Sequence, residues 1–91
     1  MTNAVVLIRA ERDAVATLGD VLAGIDGVAE AYSVTGEWDY VAIVRVPRAD
    51  DLAEVVTGRL GRLPGVARTY TMVAFKAYSR HDLEQMFSIG A

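Results

Sequence analysis

A chain of 91 residues with 53% apolar side chains makes one small domain, and that apolar content argues against disorder. Nine basic against twelve acidic side chains, a net charge of −3 and no basic block exclude direct binding of nucleic acid through phosphate neutralisation. Zero cysteines exclude a disulfide scaffold and suit a reducing cytoplasm, no run of about 18 apolar residues offers a membrane span, and residues 1–3 lack the basic start of a signal peptide.

Residues 4–10 (AVVLIRA) are too short and too rich in Val and Ile for a helix and predict a buried first strand. Asp13 then serves as N-cap of a helix carrying Val15, Leu18, Val21, Leu22 and Ile25 at helical spacing. A second strand spans residues 28–35, Gly36 and Glu37 make a tight connection, and a third strand spans 38–47. Pro47 ends it because proline cannot donate to a ladder. Asp50 or Asp51 caps a second helix with Leu52, Val55, Val56, Leu60 and Leu63 on one side. Residues 66–78 form a long fourth strand. Residues 79–82 (SRHD) resemble a capping box that opens a short helical tail bearing Leu83, Met86 and Phe87.

The halves echo each other. Residues 22–32 (LAGIDGVAEAY) return as residues 60–70 (LGRLPGVARTY): a helix end, a glycine stop at Gly27 or Gly65, and a strand opening on valine. The order β-α-β-β-α-β predicts an α+β, ferredoxin-like sandwich over residues 1–78, with residues 79–91 as a tail packing on a neighbouring subunit. Gly19, Gly58 and Gly61 each cost a predicted helix about 1 kcal/mol relative to Ala, so docking on the sheet must hold the helices.

Two helices cover one face of a sheet, yet both faces of these strands are apolar. Alternation sets Trp38, Tyr40, Ala42, Val44 and Val46 against Val41 and Ile43, and Val66, Tyr70, Met72 and Ala74 against Val73, Phe75 and Ala77. An uncovered face of that kind exceeds the ~300–600 Å² patch of a typical soluble monomer. A second copy of the same sheet is the expected cover, giving a homodimer of the dimeric α/β barrel kind.

The stretch Val34-Thr35-Gly36-Glu37-Trp38-Asp39-Tyr40, followed by an apolar strand and by Arg62-Leu63-Pro64-Gly65-Val66, resembles the effector-binding domain of the Lrp/AsnC regulators, the RAM domain. The resemblance covers about residues 4–78 and is carried chiefly by the Gly-x-x-Asp-Tyr turn. Because the chain starts directly at the first strand, it looks like a stand-alone version without the family's helix-turn-helix, in keeping with no direct contact to DNA. The resemblance implies a non-catalytic, cytoplasmic regulatory protein without cofactor or metal. It implies a dimer of facing sheets assembling to an octamer, with full-length Lrp/AsnC relatives as possible partners and an amino acid bound where dimers meet. Carried onto this sequence, the ligand-binding positions are Thr35, Gly36, Glu37, Trp38, Asp39 and Tyr40, joined by Thr69, Thr71 and Met72 of the fourth strand.

The chemistry of the turn agrees. Asp39 can accept from an ammonium, the threonines offer hydroxyls, and Trp38 and Tyr40 offer flat surface or a cation–π contact to a basic side chain. A plain structural reading also stands: Gly36 for its positive φ, Asp39 bonding its own turn, Trp38 as interface or core, and Tyr32 and Tyr70 as structural equivalents. His81, the lone histidine, reads as a surface residue, and no zinc set, nucleophile elbow, P-loop or dinucleotide fingerprint is present. Three other functions share the strand order. A dimeric α+β-barrel monooxygenase or isomerase would need a polar cluster between sheet and helices, with His81, Trp38 and Tyr70 as recruits. An ACT-like amino-acid sensor needs none. An RNA-binding RRM would need the basic-Gly-aromatic run that strand three (DYVAIVRV) lacks.

Overall fold

The structure, a computed structural model, describes residues 1–78 and Arg80. The elements run β1 (Thr2–Ala10), a 3-10 turn at Arg12–Ala14, α1 (Leu18–Ala23), β2 (Val28–Ser33), β3 (Tyr40–Val46), α2 (Ala49–Ala53) and β4 (Val66–Val73). The strands form one antiparallel sheet in the order β2-β3-β1-β4, the ferredoxin-like arrangement that the repeat predicts. The helices pack on one face of the sheet.

Alternation along β1 and β3 builds the core. Ala4, Val6, Ile8 and Ala10 on β1 and Tyr40, Ala42, Val44 and Val46 on β3 are buried against Leu18 and Leu22 of α1 and Leu52, Val55 and Leu60 of the second helical segment. Ile8, Leu22 and Leu60 are buried completely, each worth about 1.5–3 kcal/mol relative to exposure. That burial holds helices that start without a side-chain cap: neither Thr17 before α1 nor Arg48 before α2 makes one, so Asp13, Asp50 and Asp51 are not the caps expected of them. Helix α1 is also shorter than the apolar spacing predicts. Val15 and Val21 are exposed, and only Leu18 and Leu22 of the series reach the core fully. Past Ala53 the second helix widens into π-type turns over Glu54–Leu60, closing with Gly61 N–H donating to the Val56 carbonyl at 2.8 Å.

The repeated phrase has a repeated structural role. Gly27 and Gly65 take φ of +97° and +95°, which side chains on Cβ rarely adopt. Each also packs on the other half of the molecule: a Cβ at Gly27 would lie 2.6 Å from a Val55 methyl, and one at Gly65 would lie 2.8 Å from the Ala14 methyl. Their carbonyls accept from Arg45 and Glu11 N–H at 2.8 and 2.7 Å. Each half therefore closes over the glycine of the other.

Strand four differs from expectation in two ways. It ends at Val73 and not Tyr78: Val73 pairs with Ala4 near the start of β1, its partner in the sheet, and the Ala74 N–H still reaches the Asn3 carbonyl at 2.9 Å. Its faces also switch. Ala10 pairs with Val66 but Arg9 pairs with Arg68, so Ala67 is an extra residue in a bulge. Val66 then packs towards the helices, whereas Tyr70 and Met72, opposite Leu7 and Val5, take the open face. Except for Arg80, the tail expected over residues 79–91, with His81, Leu83, Met86 and Phe87, lies outside the described residues.

Candidate ligand site at the rim of the open face

The face away from the helices carries Val5 and Leu7 of β1, Val41 and Ile43 of β3, Tyr32 of β2, and Tyr70 and Met72 of β4, placed together by register. Tyr32, Tyr70 and Met72 are between 43% and 54% exposed, a contiguous apolar surface with large side chains still open to water. Tyr32 and Tyr70, equivalent in the two repeats, stand on opposite outer strands of this one face. Polar groups sit at its margin. The Tyr32 hydroxyl donates to the Glu30 carboxylate, which holds the phenol pKa above its ordinary value. Arg45 stands 3.9 Å from the same carboxylate.

The turn between β2 and β3 closes one end of that face. The Val34 N–H donates to the Asp39 carbonyl at 3.0 Å and the Asp39 N–H to the Ile8 carbonyl at 2.9 Å, which clamps both ends of the turn. Gly36, at its tip, has φ of +102°, and no atom lies within 4 Å of where its Cβ would stand, so the space beside the backbone is open. Thr35 and Glu37 are exposed beside it. The Arg9 guanidinium donates to the Glu37 carbonyl at 2.6 Å and lies 3.5 Å from the Glu37 carboxylate.

Trp38 belongs to this rim and not to the helix side. It lies in the bend before β3 begins, so strand alternation does not reach it, and its ring stands 6.4 Å from that of Tyr70. The guanidinium carbons of Arg9 and Arg68 lie 5.7 and 5.5 Å from its ring centroid. Arg9 and Arg68 were not singled out by sequence reasoning. They face each other across β1 and β4, and only the register, a long-range property, brings them to one tryptophan.

The remaining candidates are split. Asp39 is half-buried, and its Oδ2 accepts the Ala10 N–H at 2.8 Å, a bond to the neighbouring strand and not to its own turn. Tyr40 points the other way: it is buried on the helix side, and its hydroxyl donates to the Val15 carbonyl. Thr69 and Thr71 pair with Ile8 and Val6 and so share the helix-side face, whereas Met72 lies on the open one. The structure thus brings together Gly36, Glu37, Trp38 and Tyr70 with Arg9 and Arg68, and places Tyr40, Thr69 and Thr71 elsewhere.

Two other arrangements bear on chemistry. A cleft of about 280 Å³ lies at the opposite end of β3, where Arg59 donates to the Asp26 carbonyl at 2.7 Å and pairs with Glu54 at 3.2 Å. Between sheet and helices, where an enzyme of this strand order would need a polar cluster, the buried side chains of the described residues are apolar apart from the Tyr40 hydroxyl, which is spent on the Val15 carbonyl. Among the described residues no three His, Cys, Asp or Glu converge as a metal site needs, and no helix is long and apolar enough to cross a membrane.

Comparison with known proteins identifies the family and the fold. The model of the Lrp/AsnC ligand binding domain matches residues 3–83. An uncharacterised HTH-type transcriptional regulator of Pyrococcus furiosus is 40% identical over 77 residues, covering 81% of this chain and 51% of the relative. The chain spans about half the length of the curated relatives it matches. The crystal structure of a Thermus thermophilus protein, TTHA0845, is similar with a TM-score of 0.80 and 48% identity, over 88% of this chain and 100% of that one. A transcriptional regulator from Neisseria meningitidis in complex with L-Met shares the fold at a TM-score of 0.76 and 17% identity, over 87% of this chain and 53% of that one.

Proposed function

The chain belongs to the Lrp/AsnC ligand-binding domain family, and from that premise we propose that it is a non-catalytic regulatory module whose assembly responds to a free amino acid. The observation that carries the reading is the uncovered apolar face with an open, glycine-tipped turn at its rim. Val5, Leu7, Val41, Ile43 and Met72 suit a second copy of the sheet, which removes their surface from water at about 25 cal/mol per Å² and leaves Trp38 and Tyr70 at its rim. The turn then stands at the edge of a dimer, where a neighbouring dimer completes a pocket and an octameric ring follows. A regulator of the same fold crystallised with L-Met, so the fold accommodates a free amino acid.

An effector touching two neighbours at once binds the larger assembly better and shifts the equilibrium by that difference in affinity. The relatives are HTH-type regulators, and a change in assembly is the route by which the effector acts on transcription. The test is a thermal-shift screen over the twenty amino acids with sedimentation velocity on the responders. An effector at a hundred times its Kd adds about 2.7 kcal/mol, which raises Tm by roughly 10 °C or more in a domain of this size. No response in either measurement across the set would overturn the reading.

A further inference from the structure

The rim of the open face carries a charge arrangement that the family match does not account for. Arg9 and Arg68 are direct cross-strand partners, so two like charges face each other, an unfavourable pairing in a sheet. Both guanidinium groups stand over the Trp38 ring. Arg9 has its compensation in the turn, from the Glu37 carbonyl and carboxylate. Arg68 is exposed and has no carboxylate partner among the described residues.

We infer that Arg68 is the carboxylate anchor of the effector site, and that the effector is an α-amino acid with an apolar or aromatic side chain and not a basic one. The inference rests on the effector reading above and deepens it. A guanidinium presents a planar fork of N–H donors that matches a carboxylate with two parallel hydrogen bonds, and among the described residues nothing engages the fork of Arg68 beyond the Trp38 ring. The rings of Trp38 and Tyr70, 6.4 Å apart, offer the adjoining flat surface. Glu37, with its side chain 70% exposed, is the acceptor for an ammonium beside its ion pair with Arg9, whereas Asp39 is half-buried and spends an oxygen on the Ala10 N–H. A lysine or arginine side chain would have to bring a third cation to a tryptophan that already holds two within 6 Å. The cation–π contact expected for a basic ligand is thus made by the protein's own arginines.

The test is calorimetric and thermal-shift titration of the full chain with L-leucine, L-phenylalanine, L-lysine and L-leucinamide, which keeps the ammonium and side chain of leucine but lacks the carboxylate. L-leucine or L-phenylalanine should bind, L-leucinamide at least tenfold more weakly, and L-lysine not measurably. Arg68→Gln should weaken the amino acid by about ten- to a hundredfold and leave the amide unchanged, with partial recovery in Arg68→Lys. Equal binding of amide and acid, tightest binding by L-lysine, or an undiminished response in Arg68→Gln would each overturn the inference while leaving the effector reading intact. Dissociation of the Arg68→Gln dimer with binding retained would assign the arginine to the subunit interface and overturn it likewise. The amide comparison uses the unaltered chain, so it decides even if the variant fails to fold. Silence of the unaltered chain towards all twenty amino acids removes the effector reading and this inference with it.

Discussion

The Asp39 carboxylate stands where the next residue of a strand would stand. Beyond Tyr40 the β1–β3 ladder has no further strand residue, yet the Ala10 N–H finds an acceptor in Asp39 Oδ2 at 2.8 Å, while the Asp39 N–H donates to Ile8 one step earlier. A side chain thereby extends the sheet by one hydrogen bond next to the bulge. Replacing Asp39 by Ala leaves the part-buried Ala10 donor without its acceptor, which costs about 1–3 kcal/mol. Asp39→Asn keeps an acceptor oxygen and should cost less. Urea denaturation of both variants measures the difference, and equal stability of Asp39→Ala and the unaltered chain would remove the structural role. Loss of effector response in Asp39→Ala is for the same reason a poor assay of ligand contact.

Glycine substitutions should sort by what lies behind each Cα. Gly36, Gly27 and Gly65 all have positive φ, so alanine strains each backbone by about 1–2 kcal/mol. At Gly36 nothing more is added, because the space is open. At Gly27 and Gly65 the new methyl meets Val55 and Ala14 at 2.6 and 2.8 Å, and the strand–helix junction must shift. Thermal melts of the three alanine variants should rank Gly36→Ala well above the other two. Equal Tm losses would mean that conformation alone governs these positions.

Periodicity made most of this fold legible, because it is a local property: the order of strands and helices, the two glycine stops and the apolar open face all follow from neighbours in sequence. What failed was alternation carried across a discontinuity. The bulge at Ala67 set Val66 on the opposite face from Tyr70, and the bend before Tyr40 freed Trp38 from the side that Tyr40 takes. The caps failed for a related reason, since burial of Leu18, Leu22 and Leu52 holds the helices without them. Nothing in the local sequence sets Arg9 and Arg68 apart from the other basic residues. Their meeting at Trp38 depends on strand register, and no short motif encodes that.

The open face supplies a prediction about assembly. Leu7 is central on it, flanked by Val41 and Tyr70 on the adjoining strands. Leu7→Lys places a charge where the proposed dimer excludes water, and a few kcal/mol of desolvation without a partner is enough to dissociate it. Sedimentation velocity should show a monomer with a native far-UV spectrum. Ile8→Ala, one residue along on the helix side, should instead cost about 2–5 kcal/mol of stability and keep the dimer. A dimeric Leu7→Lys protein would place the interface elsewhere.

Tyr40 and Trp38, two residues apart, separate the fold from the site. The Tyr40 hydroxyl donates to the Val15 carbonyl, and its ring lies against Gly19, where an added Cβ would approach to 3.1 Å, so the side chain anchors the entry to α1 from within the core. Tyr40→Phe removes one hydrogen bond and keeps the ring, a loss of about 1 kcal/mol that should appear as a Tm lower by roughly 4–8 °C. Because the hydroxyl faces away from the rim, the increment in Tm produced by an amino acid should be the same as in the unaltered chain. Trp38→Ala should do the reverse. It frees two arginines and a rim surface without opening the core, so the basal melt moves little and the amino-acid increment disappears. A lost increment in Tyr40→Phe with a retained one in Trp38→Ala would put the ligand between the sheet and the helices, on the face opposite to the one argued from Trp38, Tyr70 and Arg68.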